Sequence, residues 1–460
     1  MAMLVVLIKK EIAGNVLSFR FVLTFALFLG LILVSLFILA SDYQARMQGY
    51  EASKAAHREA LARIEKIEGK DQQVRELLYN QGVYADRPPQ PLEIFVHGLE
   101  AYLPAQVHTA RFTARRIDED FYQNAFFSLF ATPDCGYLIN IVVSLLALLF
   151  VFDAICGEKE SGTLKLVLAN SVPRDLVILS KWIGGYICLV APFLASLVAG
   201  LAYLRLSGAV PLSGATLERL LWLVGVSLLY ISLFFTLGLM ISTMAHKAST
   251  ALLVALFAWI GWLLVIPNLA PVIARLVSPV PTLQKINAEK AAVDQEMLLR
   301  MQRVSRTMLG YGRKAEEARE KIQQEGEARK RRLDKFYEDE LRRQIDLSKT
   351  LSRLSPSASF RYAATELART GLGLFAGFKR AYARFQEAFR QYADALEERR
   401  NKDQLTDDWL QDEEIPRLQI LEARLGDTLD AIYVDLLLMG VYNVLFFMGA
   451  YAFFLRYDVT

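Results

Sequence analysis

The chain is poor in several things at once. Only 3 of its 460 residues are cysteine and 4 are histidine. Cys135, Cys156 and Cys188 lie in or beside apolar runs and form no CxxC pair, so neither a disulfide framework nor a thiolate metal site is expected. His57, His97 and His108 show no H-x-x-x-H spacing and no nucleophile motif stands near them, which argues against a membrane enzyme. Net charge is only +3, so the strong basic excess of a nucleic-acid binder is missing. No G-x-x-x-x-G-K-[ST] loop occurs, and Lys349-Thr350 has no glycine loop before it; no nucleotide is expected to bind this chain. The apolar runs themselves lack charge. Asp153 and Asp435 sit near run ends, and no His, Glu or Lys lies mid-run. A proton-driven pump or a charged ion channel needs ionisable groups at membrane depth, so both classes are disfavoured.

What is present is apolar residues in long blocks. They make up 54% of the chain, and mean hydropathy is +0.27. A helix needs about 20 apolar residues to cross a bilayer. Six runs qualify: 21–40, 136–155, 180–204, 219–243, 250–273 and 431–455. No small-x-small cleavage site follows the first run, so it is expected to stay in the mature chain. Lys9, Lys10 and Arg20, then Lys159, Lys165, Arg174 and Lys181, then Lys247, and finally Arg456 all fall on one side of six spans. The positive-inside rule makes that side cytoplasmic. Both termini, including the tail 456–460, are then inside.

Two long segments, 41–135 and 274–430, fall outside. Gln44 to Asn80 has the spacing of an amphipathic helix; Pro88, Pro89 and Pro91 then forbid a helix interior. In the second segment, 285–309 and 313–353 carry helical spacing around Gly310-Tyr311-Gly312. One unbroken helix over 285–353 would reach about 100 Å, so a folded-back hairpin is expected. Further helices are expected at 358–369, 374–399 and 415–429. No heptad is sustained enough to predict a coiled coil. Residues 2–18 are expected either to lie flat in the inner interface or to begin the first span early. Pro267, Asn268 and Pro271 end the fifth span on stop-signal logic; the competing reading is a flexible outer gate.

The stretch 156–179 raises the sharpest question, because it leaves the membrane and returns at once. Glu158, Lys159 and Glu160 follow Gly157, and Gly162 permits a sharp turn. Leu164, Val167 and Leu168 fall at i, i+3 and i+4, giving one apolar stripe on a two-turn helix. Lys165 lies off the stripe, Asn170 and Ser171 are stop and cap residues, and Pro173 suits the first turn of the next helix. Such a helix suits docking into a groove on a partner; it equally suits lying in the headgroups.

The run FDAICGEKESGTLKLVLANSVPRDLVILSKWIGG (152–185) resembles the signature of ABC-2 type (type V) ABC exporter permeases. Glu158, Glu160, Gly162, Thr163 and Leu164 match the family pattern E-[KR]-E-x-G-T-L, and Asp153 precedes it. KKEIAGNVLSFRF (9–21) is similar to the family's elbow helix, placing Lys9, Lys10 and Glu11 there. RPPQPLEIFVHGLE (87–100) and LSPSASFRYAATELARTG (354–371) look like the branch with large extracytoplasmic inserts, the GldF-like and NosY-like permeases.

The resemblance implies an all-α integral membrane protein with six transmembrane helices, a coupling helix and two large, mainly helical extracytoplasmic inserts. It makes Asp153, Glu158, Lys159, Glu160, Gly162, Thr163, Leu164, Val167, Leu168 and Arg174 the residues that couple to an ATPase. The implied partners are two copies of an ABC ATPase subunit, carrying the ATP and Mg, and a second permease, identical or homologous, in a bacterial inner membrane. Cofactors in this chain itself are none. Three functions stay open: an exporter half moving a lipid or other hydrophobic cargo, a complex that passes motion to a periplasmic partner without transport, and a membrane scaffold that uses no ATP.

Overall fold

Inside a bilayer every backbone N–H and C=O must find a partner within the protein, so long apolar runs fold as helices. The computed structural model describes residues 2–111, 133–169, 172–211, 213–307, 313–405, 409–410 and 415–456. Six of its helices are long and apolar enough to span a membrane: Phe19–Glu65, Cys135–Glu160, Arg174–Ser207, Gly214–Met244, Ala248–Val277 and Leu425–Leu455. They are the first to sixth spans. The protein is an all-α, multi-pass membrane protein, with one two-stranded sheet among the described residues.

The first span does not stop near residue 40. It continues for 47 residues to Glu65, about 70 Å at 1.5 Å per residue. Residues 41–65 contain no proline and are rich in Ala, Glu and Arg, so helix propensity carries the element on past the apolar run. The second span starts on Asp134, whose carboxylate accepts from Tyr137 N at 2.5 Å and from His97 N at 2.7 Å. The fourth starts on Ser213, which accepts from Thr216 N.

The chain divides into two compact units. The first contains 1–259 and 359–460. In it the fourth span packs along the second and sixth, while the first span and the amino-terminal helix Ala2–Val16 pack along the third. Of its most apolar stretch the fourth span buries 67%, against 17% for the sixth, so the fourth is the axis of the bundle. A second apolar core gathers Ile64, Leu77, Leu78, Val83 and Val107 around Phe385, Phe389 and Leu396 of the helix Leu372–Asn401. Strands Val83–Asp86 and Gln106–Thr109 pair antiparallel here, with Pro88, Pro89 and Pro91 between them. The helical spacing over 44–80 corresponds to helix up to Glu65 and again over 70–81, and the sheet follows it. Thr370 joins the inserts, donating to Val96 O at 2.8 Å and accepting from Leu99 N at 2.6 Å.

Residues 359–367, in the helix Pro356–Leu367, run beside the fourth span without crossing. Phe360 stacks on Tyr230, near that span's midpoint, at 4.4 Å between ring centroids. Leu367 O reaches Arg219, in its second turn. The expected helix at 415–429 is replaced by non-helical chain up to Arg424, and the sixth span begins at Leu425.

The second unit contains Ile260–Ala358. Leu283–Thr307 and Arg313–Ser352 lie antiparallel, paired by Lys290–Asp334, Asp294–Lys330, Glu296–Arg329 and Arg300–Glu325. Every pair is centred on 312–313 in sequence, as a folded-back hairpin requires. The expected Gly310-Tyr311-Gly312 bend lies outside the described residues. The fifth span runs on through Pro267 and Pro271 to Val277, so these prolines do not end it. A wide π-helical turn at Gly261–Val265 precedes them, and Asn268 Nδ2 donates to Leu264 O at 2.7 Å. Together these absorb part of the hydrogen bonding that proline removes.

Candidate functional site

Where the second span breaks, its backbone needs new partners. At 152–155 the helix opens, and the N–H groups of Ile155 and Cys156 both donate to Ser242 Oγ of the fourth span, at 3.0 and 3.1 Å. Asp153, at the break, takes a two-toothed ion pair from Arg20 of the first span at 2.9 and 2.7 Å. The chain then forms Cys156–Glu160, turns at Gly162 and forms Thr163–Ala169. Gly162 has φ +74°, a left-handed backbone that other residues adopt only at a cost.

The charges after the break do not point away from the protein. Lys159 Nζ donates to Thr243 O at 2.5 Å and to Ala245 O at 3.2 Å, at the carboxyl end of the fourth span. Glu160 Oε2 accepts from Ala248 N at 3.1 Å, at the amino end of the fifth. Each charge opposes the helix-end dipole it meets, so two neighbouring residues clamp both sides of the joint between spans. Glu158 Oε1 receives Lys181 Nζ at 2.7 Å, and the same ammonium reaches Glu11 Oε1 at 3.3 Å. Lys181, on the third span, is 7% exposed. Glu11 can come this close because residue 184 is glycine: a Cβ there would stand 2.8 Å from Glu11 Cβ. Arg174 donates to Leu455 O at 2.8 Å, the last residue of the sixth span.

One polar hairpin thus holds the amino-terminal helix and the near ends of the first, fourth, fifth and sixth spans, and is continuous with the second and third. Residues 5–459 match the family described as ABC-2 family transporter protein. The chain belongs to that family.

Two curated relatives of this ABC-2 protein share a printed name, probable ABC transporter permease protein NosY. That of Stutzerimonas stutzeri is 32% identical over 132 residues, covering 28% of this chain and 46% of the relative. That of Pseudomonas aeruginosa PAO1 is 34% identical over 128 residues, covering 28% and 46%. The chain spans about half the length of the curated relatives it matches.

Against the family pattern, the geometry redistributes the expected site. Asp153, Glu158, Lys159, Glu160 and Arg174 come together, but each is engaged by this chain's own helices. The stripe Leu164, Val167 and Leu168 faces the bundle. Leu164 is fully buried in its core and the other two pack against that core, so the stripe seats the short helix instead of reaching outward. The exposed side carries Thr163, Lys165 and Leu166, the last 68% exposed. Asn170 and Ser171 lie outside the described residues. In the amino-terminal helix Lys9 and Lys10 are exposed, and Glu11 turns inward. Pro267, Asn268 and Pro271 belong to the second unit and not to this hub. Sequence reading missed Lys181, Arg20 and Ser242 as hub members. Their one signal was polar side chains at the edges of apolar runs; the positive-inside rule had already absorbed the two cations, and Ser242 is too common a residue in a span to stand out.

Proposed function

We propose that this chain is the permease subunit of an ATP-driven ABC-2 complex, and that its hub receives motion from a separate ATPase subunit. The carrying observation is the hub itself: a short helix with one exposed face, wired to the near ends of the amino-terminal helix and every span. A pull on Thr163–Ala169 is then shared by the whole near end. The hub side is cytoplasmic in this reading, since it carries Lys9, Lys10, Lys165 and Lys247, and the membrane is the bacterial inner membrane. The motor is two ATPase copies, which bind the ATP and Mg, acting on two permease copies. The motor drives a cargo outward, and spans free of mid-run charge suit a lipid or other hydrophobic one. The relatives' printed names support a permease role.

A second reading passes motion to an external partner with no cargo. The second apolar core favours it, because a folded module on the far side of the bundle is a ready place to receive that motion. Lys181→Met tests the hub. It leaves Glu11 and Glu158 half-buried without their shared cation. Membrane insertion and ATPase co-purification are expected to persist. The dependence of ATP hydrolysis on the permease, measured in nanodiscs, is expected to fall at least fivefold. Unchanged coupling in Lys181→Met would contradict the hub.

A further inference from the structure

We propose that the fourth span, Gly214–Met244, is the rod that carries motion from the hub to the far end of the first unit, with Arg219 as its far grip. The proposal rests on the hub being the site where motion enters.

A rod must be held at both ends and supported between them. At the hub end the fourth span is held through Ser242 Oγ and through the carbonyl of Thr243. Both grips use the backbone or a buried hydroxyl. The first span is held there by Arg20–Asp153 instead, a pair with side chains 53% and 27% exposed, and such pairs contribute little to stability. Midway, Tyr230 is fully buried. Its hydroxyl meets Asn140 O and Oδ1 at 3.0 and 2.8 Å, and its ring stacks on Phe360.

At the far end Arg219 is 3% exposed. One guanidinium donates to Leu367 O at 3.4 Å, to Thr428 Oγ1 at 3.2 Å and to Ala423 O at 2.6 Å. It therefore ties the end of the helix Pro356–Leu367 to the start of the sixth span. Its two terminal nitrogens hold donors in a fixed planar fork that spans separated acceptors, whereas an ammonium's three donors radiate from one atom. Arg369 supports the same point from a left-handed backbone, φ 59°. It donates to Glu422 at 2.6 Å and to Ala423 O at 3.3 Å. Arginine in the left-handed region is disfavoured, and here its side chain completes the junction. Arg219 is a positioning residue: it touches no cargo and acts through the segments it holds.

Amide hydrogen exchange tests this on the full chain with its ATPase subunit in nanodiscs, with and without ATP trapped by vanadate. In the wild type, trapping is expected to change exchange at 153–169 and also at 359–370 and 415–428. In Arg219→Gln the ATPase yield and the change at 153–169 are expected to persist, while the far-end change drops at least fivefold. Arg219→Lys should recover it only in part. Phe360→Leu, which removes the mid-span stack and leaves the far grip, is expected to weaken the far-end change and covers the case in which Arg219→Gln does not fold. A far-end change of wild-type size in both Arg219→Gln and Phe360→Leu overturns the rod. A wild-type complex that shows no change at 153–169 overturns the hub reading and the rod with it.

Discussion

Leu166 and Leu164 sit two residues apart and do opposite work. Leu164 is fully buried, so Leu164→Ala leaves a cavity in the core and is expected to cost about 2–5 kcal/mol. Leu166 is 68% exposed; Leu166→Glu should leave thermal unfolding in detergent unchanged while abolishing ATPase co-purification. Equal melting temperatures for the two variants, or full ATPase yield with Leu166→Glu, would refute this assignment of faces. The apolar stripe at 164, 167 and 168 was legible from its spacing. Its direction was not, because periodicity marks a stripe but does not say whether the chain's own bundle or a partner covers it. Lys181 was illegible for a different reason. Its carboxylate partners lie 23 and 170 residues away in sequence, and no local pattern links them.

Elements ended where propensity and backbone hydrogen bonding placed them, and not always where the apolar run did. The first span outran its apolar run because residues 41–65 favour helix. The fifth outran Pro267 and Pro271 because a π-helical turn and the Asn268 amide take up part of the bonding proline removes. The charged helices Leu283–Thr307 and Arg313–Ser352 were legible, their outer ends at 283 and 352 lying within two residues of the expected 285 and 353. Their seam was not: Ile286, Lys290, Val293, Met297, Met301 and Val304 turn inward at three- and four-residue steps, and a lysine in that series hides the repeat. The joint between the fourth and fifth spans gives a graded test. Glu160→Gln keeps a carbonyl oxygen for Ala248 N and should be nearly silent. Glu160→Ala removes the helix cap and is expected to cost about 1 kcal/mol. Thermal unfolding of the two variants separates a cap from a bare charge effect, which Gln would lose as fully as Ala.

For the whole molecule, six spans and the short hairpin between the second and third were readable because hydropathy and the E-K-E-S-G-T-L run (158–164) are both local in sequence. The second apolar core and the far grip at Arg219 were not, since each is assembled from segments well over a hundred residues apart; nor was the small sheet, whose two four-residue strands are too short to carry a clear alternation. What unites the molecule is a hairpin that holds the near ends of the amino-terminal helix and all six spans and leaves one face uncovered. Placing a photo-crosslinking residue at Leu166 in intact membranes, with a second at exposed Ala388 on the helix Leu372–Asn401, tests that arrangement most directly. The account predicts that an ATP-hydrolysing subunit is captured from position 166 and not from 388. Capture of lipid alone at 166, or of the ATPase at 388, would contradict it.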